Sequence, residues 1–143
     1  MNFRTHARLA LLLPALLFGS LLLLSLLPGD LPARLLPSSL AAGWSQYRFA
    51  VEMGGIQYLA LALLLGWRVG AWSARDAMLH FTLAPVYYAV LVLVSLFLYG
   101  QLAGDPIAED VGIFIALLSV TYGYVYVAVL LGGFYLLNRL NTA

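Results

Sequence analysis

Hydrophobic positions in this chain come in four long runs, from Leu9 to Leu27, Phe49 to Trp67, Met78 to Tyr99 and Val111 to Leu137. Each approaches or exceeds the ~20 helical residues that, at 1.5 Å of rise each, match a ~30 Å hydrocarbon core. The segments between them, PGDLPARLLPSSLAAGWSQYR, RVGAWSARDA and GQLAGDPIAED, gather most of the proline, glycine and charge. One stretch reads differently. SVTYGYVYVAV, residues 119–129, alternates aromatic and β-branched residues in the manner of a strand. Inside a bilayer each backbone polar group is paired within its own helix or in a closed barrel, and four segments cannot close a barrel. The pattern therefore predicts helix throughout: an all-α membrane protein, one domain over residues 1–143, with four transmembrane helices in an antiparallel bundle.

Composition agrees, with 64% hydrophobic and only 9% charged residues against roughly 25% charged in an ordinary soluble domain. The net charge is +1 and the positive residues are scattered singly, so a nucleic-acid partner has no electrostatic footprint. All seven positive residues are Arg, and Leu, Ala and Gly are abundant, a bias typical of GC-rich bacterial genomes. With no cysteine, disulfides, thiolate metal sites, iron–sulfur clusters and cysteine nucleophiles are excluded together.

Charge also sets the expected orientation. If the helices alternate, Arg4, Arg8, Arg68, Arg75 and Arg139 share one side, while Arg34 and Arg48 lie on the other with Asp30, Asp105, Glu109 and Asp110. The excess of arginine places both termini in the cytoplasm of a bacterial inner membrane. Arg4, His6 and Arg8 before an apolar run also describe a secretory signal. This run exceeds the 7–15 residues of such a core, and no small-x-small cleavage site follows directly, so it reads as a retained first span. Ala15 and Gly19 within it form a small-xxx-small pair suited to close helix approach.

Several polar residues have structural explanations. SARD, from Ser73 to Asp76, is a capping-box pattern in which Asp76 satisfies amides at a helix start. In DPIAED, Asp105 is the expected N-cap and Pro106 the first helical residue. His80 is a packed or interfacial histidine; a bis-histidine haem would need a second histidine inside the bundle, and His6 falls in the polar N-terminal tail. Glu52 is an acid at membrane depth, a functional candidate by default, with Arg48 one turn away as its partner. Gly55, Leu59, Ala62 and Gly66 descend from it at helical spacing as a close-packing face, which aims the acid at another helix.

Six tyrosines, Tyr58, Tyr87, Tyr88, Tyr122, Tyr124 and Tyr126, lie near the centres of their runs. An unpaired hydroxyl in hydrocarbon costs on the order of 1–3 kcal/mol, so they need partners. Candidates are Gln57, Ser119, Thr121, backbone carbonyls, water or a ligand. On a helix Tyr122 and Tyr126 share a face with Ser119, and Tyr124 with Thr121 points the opposite way.

Three function classes result. The favoured one is an accessory or assembly subunit that docks another membrane chain, or a second copy of itself, through Thr121, Tyr124 and Ala128. The alternative is a binder or carrier of a lipid or quinone in a midplane pocket built from Glu52, Gln57, Tyr58, Tyr87, Tyr88, Ser119, Tyr122 and Tyr126. An enzyme comes last, because no paired carboxylates, nucleophile with base, or metal set is present. No cofactor or metal is implied, and membrane lipids are the expected surroundings.

Overall fold

A computed structural model describes residues 3–29, 31–104 and 107–140; the side chains of 33, 45–47, 49, 50, 107–109 and 140 are outside the description. Of the described residues 89% are helical. Its elements are α1 (Phe3–Ser25), α2 (Leu31–Leu35), α3 (Ser38–Ala41), α4 (Trp44–Arg68), α5 (Ala74–Ala103) and α6 (Ile107–Leu140). The strand-like stretch at residues 119–129 lies in the middle of α6, where the need to pair every backbone group within the segment overrides β propensity.

Among the described residues three helices are long and apolar enough to cross a membrane: Phe3–Ser25, Ala74–Ala103 and Asp110–Arg139. The remaining apolar run, Phe49 to Trp67, lies within the 25-residue α4, which also carries Arg48, Glu52 and Arg68. The expected N-cap Asp105 and Pro106 are outside the described residues.

The first helix starts earlier than its apolar run. It begins at Phe3, so His6 belongs to a helix and not to a polar tail. The reason is visible at helical spacing: Phe3, Ala7, Ala10 and Leu11 are all buried, a stripe that carries the apolar face back to Phe3, just ahead of the first arginine, Arg4. Phe3 meets Phe81 and Phe134 edge-on, with ring centroids 6.2 Å and 5.1 Å apart. His6 Nε2 lies 3.0 Å from the Leu130 carbonyl, an acceptor only, so that nitrogen carries the proton. Arg8 Nε donates to the Gly66 carbonyl at 2.9 Å.

Two helix pairs make up the bundle, α1 with α4 and α5 with α6, and small residues set their separation. A methyl group on Gly19 would meet Leu59 at 3.7 Å, on Gly55 Leu22 at 3.1 Å, and on Gly66 Leu12 at 3.6 Å. Ala62 is fully buried in the same seam, so the small-residue face of α4 is its contact with α1. In the other pair, Gly112 sits over Leu96 and Gly123 over the ring of Pro85. The pairs join most firmly at the end where α1 begins. There Phe3, Ala7, Leu65, Val69, Ala77 and Phe81 form one buried cluster.

Ser73 caps α5 by accepting from the Asp76 amide at 3.1 Å. The Asp76 carboxylate does not complete the reciprocal half of the box; it accepts from the Ser73 hydroxyl at 2.6 Å. Asp76 thus orients the cap instead of capping amides itself. Gly104 closes the helix in the left-handed region, at φ 67°, which glycine adopts without a Cβ penalty.

Candidate functional site

Proline inside α1 is where the site begins. Pro14 has no amide hydrogen, so the carbonyl of Ala10, four residues earlier, loses its helical donor. Tyr126 of α6 supplies the replacement, its hydroxyl donating to Ala10 O at 2.7 Å. Next to it, Tyr58 of α4 donates to Leu11 O at 3.2 Å. Tyr88 of α5 completes a third such joint by donating to Gly54 O at 2.9 Å. Three of the six central tyrosines, Tyr58, Tyr88 and Tyr126, therefore find their partners in backbone carbonyls, each on a different helix from the tyrosine. Such bonds are worth about 0.6 and up to roughly 1.7 kcal/mol each in a membrane.

These rings enclose space as well as joining helices. α1 and α6 touch near the start of α1, through Phe3 with Phe134, His6 with Leu130 and Ala10 with Tyr126. Beyond Ala10 a cavity of about 310 Å³ lies between them. Leu11, Pro14 and Phe18 form its α1 wall, with Tyr58 and Leu61 from α4. Phe81, Ala84, Pro85 and Tyr88 come from α5, and Ser119, Tyr122, Gly123, Tyr126 and Val127 from α6. The Tyr58 ring is fixed between Phe18, at 5.2 Å, and Tyr88, which it meets at 5.8 Å and 77°. Tyr122 is 68% exposed and marks the mouth. The volume is at the small end of the ~300–1,000 Å³ typical of ligand pockets, and the lining is mostly apolar, as such pockets are.

Of the residues singled out in the sequence, the structure brings Tyr58, Tyr88, Ser119, Tyr122 and Tyr126 to this cavity. It does not bring Glu52, Gln57 or Tyr87. Glu52 is exposed and accepts from Arg48 Nε at 2.7 Å; the small-residue face of α4 goes to α1, and the acid is rotated off it. Gln57 turns toward α5, donating to Ser95 Oγ at 2.7 Å, and its Oε1 is buried without a hydrogen-bond partner. Tyr87 pairs with His80 instead, its hydroxyl 3.0 Å from Nδ1. Trp72 stacks on His80, with centroids 4.2 Å apart and planes at 26°, so His80 is a packed histidine within an aromatic group. Among the described residues no group of three or more His, Asp or Glu is arranged to hold a metal.

Outside the cavity, Thr121, Tyr124 and Ala128 lie on the exposed side of α6. Thr121 donates back to Leu117 O at 3.0 Å, whereas Tyr124 has no hydrogen bond to any described residue. Sequence reasoning left out the rest of the wall, including Leu11, Pro14, Phe18, Phe81 and Pro85. Pro85 carried a usable signal, since proline in the interior of an apolar run frees a carbonyl that must be paired.

No family model, no curated protein and no solved structure matches this chain.

Proposed function

We propose that this protein holds one apolar molecule in the groove between α1 and α6. The observation that carries the reading is the cavity itself: four tyrosine rings and two prolines surround it, and it opens sideways at Tyr122. In a bilayer such a mouth admits a lipid chain or an isoprenoid tail directly from the hydrocarbon. The test is photolabelling in lipid nanodiscs with a diazirine-bearing alkyl chain. Crosslinks are expected at Phe18 and Tyr122 and should disappear in Ser119→Phe. That substitution fills the cavity and breaks no bond between helices, because Ser119 donates only to Ile115 O of its own helix. Labelling spread over outward residues such as Leu16 and Val125, unchanged in the filled variant, sinks the idea.

The accompanying architecture is four spans, with α4 as the fourth and both termini cytoplasmic, in a bacterial inner membrane. The 25 residues of α4 rise about 37 Å, enough to cross. Arg8, Arg68, Arg75 and Arg139 then fall on the inner side. Cysteine placed at Ala103 should react with a membrane-impermeant reagent added outside intact cells, and cysteine at Ala74 should not. The opposite labelling overturns the orientation.

A second reading, the accessory subunit, draws support from Tyr124. Its hydroxyl has no described protein partner and the residue is 38% exposed, on the side of α6 away from the groove. A neighbouring membrane chain or a second copy would pair that group. Tyr124→Leu should then weaken association by about 1 kcal/mol, the scale of one interhelical bond, without loss of helix by circular dichroism. A monomer in nanodiscs whose crosslinks from position 124 recover only lipid removes this reading.

A further inference from the structure

Two phenol hydroxyls in the middle of α6 have no described partner, and they lie on opposite sides of the helix. Tyr124 is on the outer side, whereas Tyr122 lines the cavity and is 68% exposed at its mouth. The other hydroxyls of the lining are committed. A phenol or alcohol has a single hydrogen to donate. Tyr58, Tyr88, Tyr126 and Ser119 give theirs to Leu11 O, Gly54 O, Ala10 O and Ile115 O. Among the described lining groups, Tyr122 therefore holds the one hydroxyl hydrogen still to be placed.

Depth decides what can accept it. Tyr122 lies two to three residues from the middle of Asp110–Arg139, a helical stretch long and apolar enough to cross a membrane. At 1.5 Å of rise per residue that is about 4 Å from the midplane. Water is absent there, and an unpaired hydroxyl in hydrocarbon is costly. The ester groups of bilayer phospholipids lie near the edge of the hydrocarbon core, about 15 Å from the midplane. A phospholipid chain threaded into the groove would thus leave this hydrogen unpaired. No charged side chain among the described residues lines the cavity, so an ionised carboxylate or phosphate would enter without a counter-charge, at prohibitive cost. What fits is a neutral acceptor on a molecule dissolved wholly within the hydrocarbon. A carbonyl takes the hydrogen and brings none of its own, whereas an alcohol brings a further one to be paired.

We infer that the occupant is a neutral carbonyl-bearing lipid, whose carbonyl oxygen accepts from the Tyr122 hydroxyl while its apolar body fills the groove. The inference rests on the groove being a binding site, and it names the class of molecule that site takes.

The experiment is competition against the diazirine-bearing alkyl chain in phospholipid nanodiscs, with methyl nonyl ketone and undecane as competitors at equal concentration in the lipid. These share chain length and differ in the acceptor. The ketone is expected to compete roughly three- to tenfold better, the range of one net hydrogen bond. Tyr122→Phe should abolish that preference, and it breaks no described bond between helices. Tyr124→Phe removes the other unpartnered phenol, on the opposite face, and should leave the preference intact. Methyl decanoate and a decyl-substituted benzoquinone tell an ester source from a quinone. An advantage of either over undecane that is lost in Tyr122→Phe supports the inference. Equal competition by the ketone and undecane in the unaltered protein overturns the assignment of class while leaving the groove as a binding site. Competition by neither removes the groove reading and this inference with it. A preference that survives Tyr122→Phe, or disappears in Tyr124→Phe, overturns the choice of Tyr122 as donor.

Discussion

Valine in place of Gly123 is expected to destabilise the protein by about 2–3 kcal/mol, whereas valine in place of Gly132, further along α6 on its opposite, exposed face, should cost less than about 1 kcal/mol. The difference comes from what stands opposite each position. A Cβ on Gly123 would lie 2.7 Å from Cβ and 2.9 Å from Cγ of Pro85, with the Pro85 Cα at 3.6 Å. A proline ring is fixed to its backbone and cannot swing away as a leucine tip can, so relief requires moving α6 off α5. Overpacking of this kind costs typically 1–3 kcal/mol, and α5 with α6 is the most extensive helix contact in the bundle. Nothing lies within 4 Å of a Cβ on Gly132, which makes it the matched control. Reversible unfolding in mixed micelles gives both numbers. Equal losses at the two positions would show that the close approach of Gly123 to Pro85 is not what holds the pair together.

Tyr126→Phe is expected to cost about 1–2 kcal/mol, and most of that loss should vanish when Pro14→Ala is present as well. The first change leaves the Ala10 carbonyl without its donor, and a buried acceptor left unpaired is penalised by about 1–3 kcal/mol. The second restores a backbone amide at the position from which a helix normally serves that carbonyl. The two sites form a double-mutant cycle with a coupling of about 1 kcal/mol. Strict additivity in unfolding measurements would mean that the tyrosine and the proline act independently, contrary to the 2.7 Å bond to Ala10 O.

Much of the architecture was legible from periodicity, and the reasons are physical. The apolar runs from Phe49, Met78 and Val111 lie within α4, α5 and α6, and the run from Leu9 fills α1 to its end at Ser25, two residues short of Leu27, because inside a bilayer a run that long can satisfy its backbone only as a helix. The seam between α1 and α4 could be read from Gly55, Leu59, Ala62 and Gly66, since small residues at helical spacing permit close approach. Placement of polar side chains was harder. The choice between lining the groove and facing away from it turns on tens of degrees of helix rotation, which the sequence does not specify. Glu52 and Tyr58 are both on α4, yet one is exposed beside Arg48 and the other reaches Leu11 O. Tyr87 and Tyr88 are adjacent and serve different partners, His80 and Gly54. The start of α1 was misread for a related reason. Arg4, His6 and Arg8 look like a tail when counted as charges, but the bonds of His6 and Arg8 to carbonyls on other helices are tertiary.

Five polar joints in this bundle share a property, absent from the side-chain pair of Gln57 with Ser95, that bears on how the protein can vary. His6, Arg8, Tyr58, Tyr88 and Tyr126 all reach main-chain oxygens on neighbouring helices. A main-chain oxygen is present whichever residue supplies it, so Leu130, Gly66, Leu11 and Ala10 could be exchanged for other residues that fit without losing the bond. Such a joint asks for a specific residue on one side only. Paired substitutions across homologous chains would therefore report the greasy contacts and pass over these five polar ones. Gly54 is the exception, because a side chain there would collide with the Tyr88 hydroxyl, which makes it the one acceptor position whose identity the tyrosine can dictate.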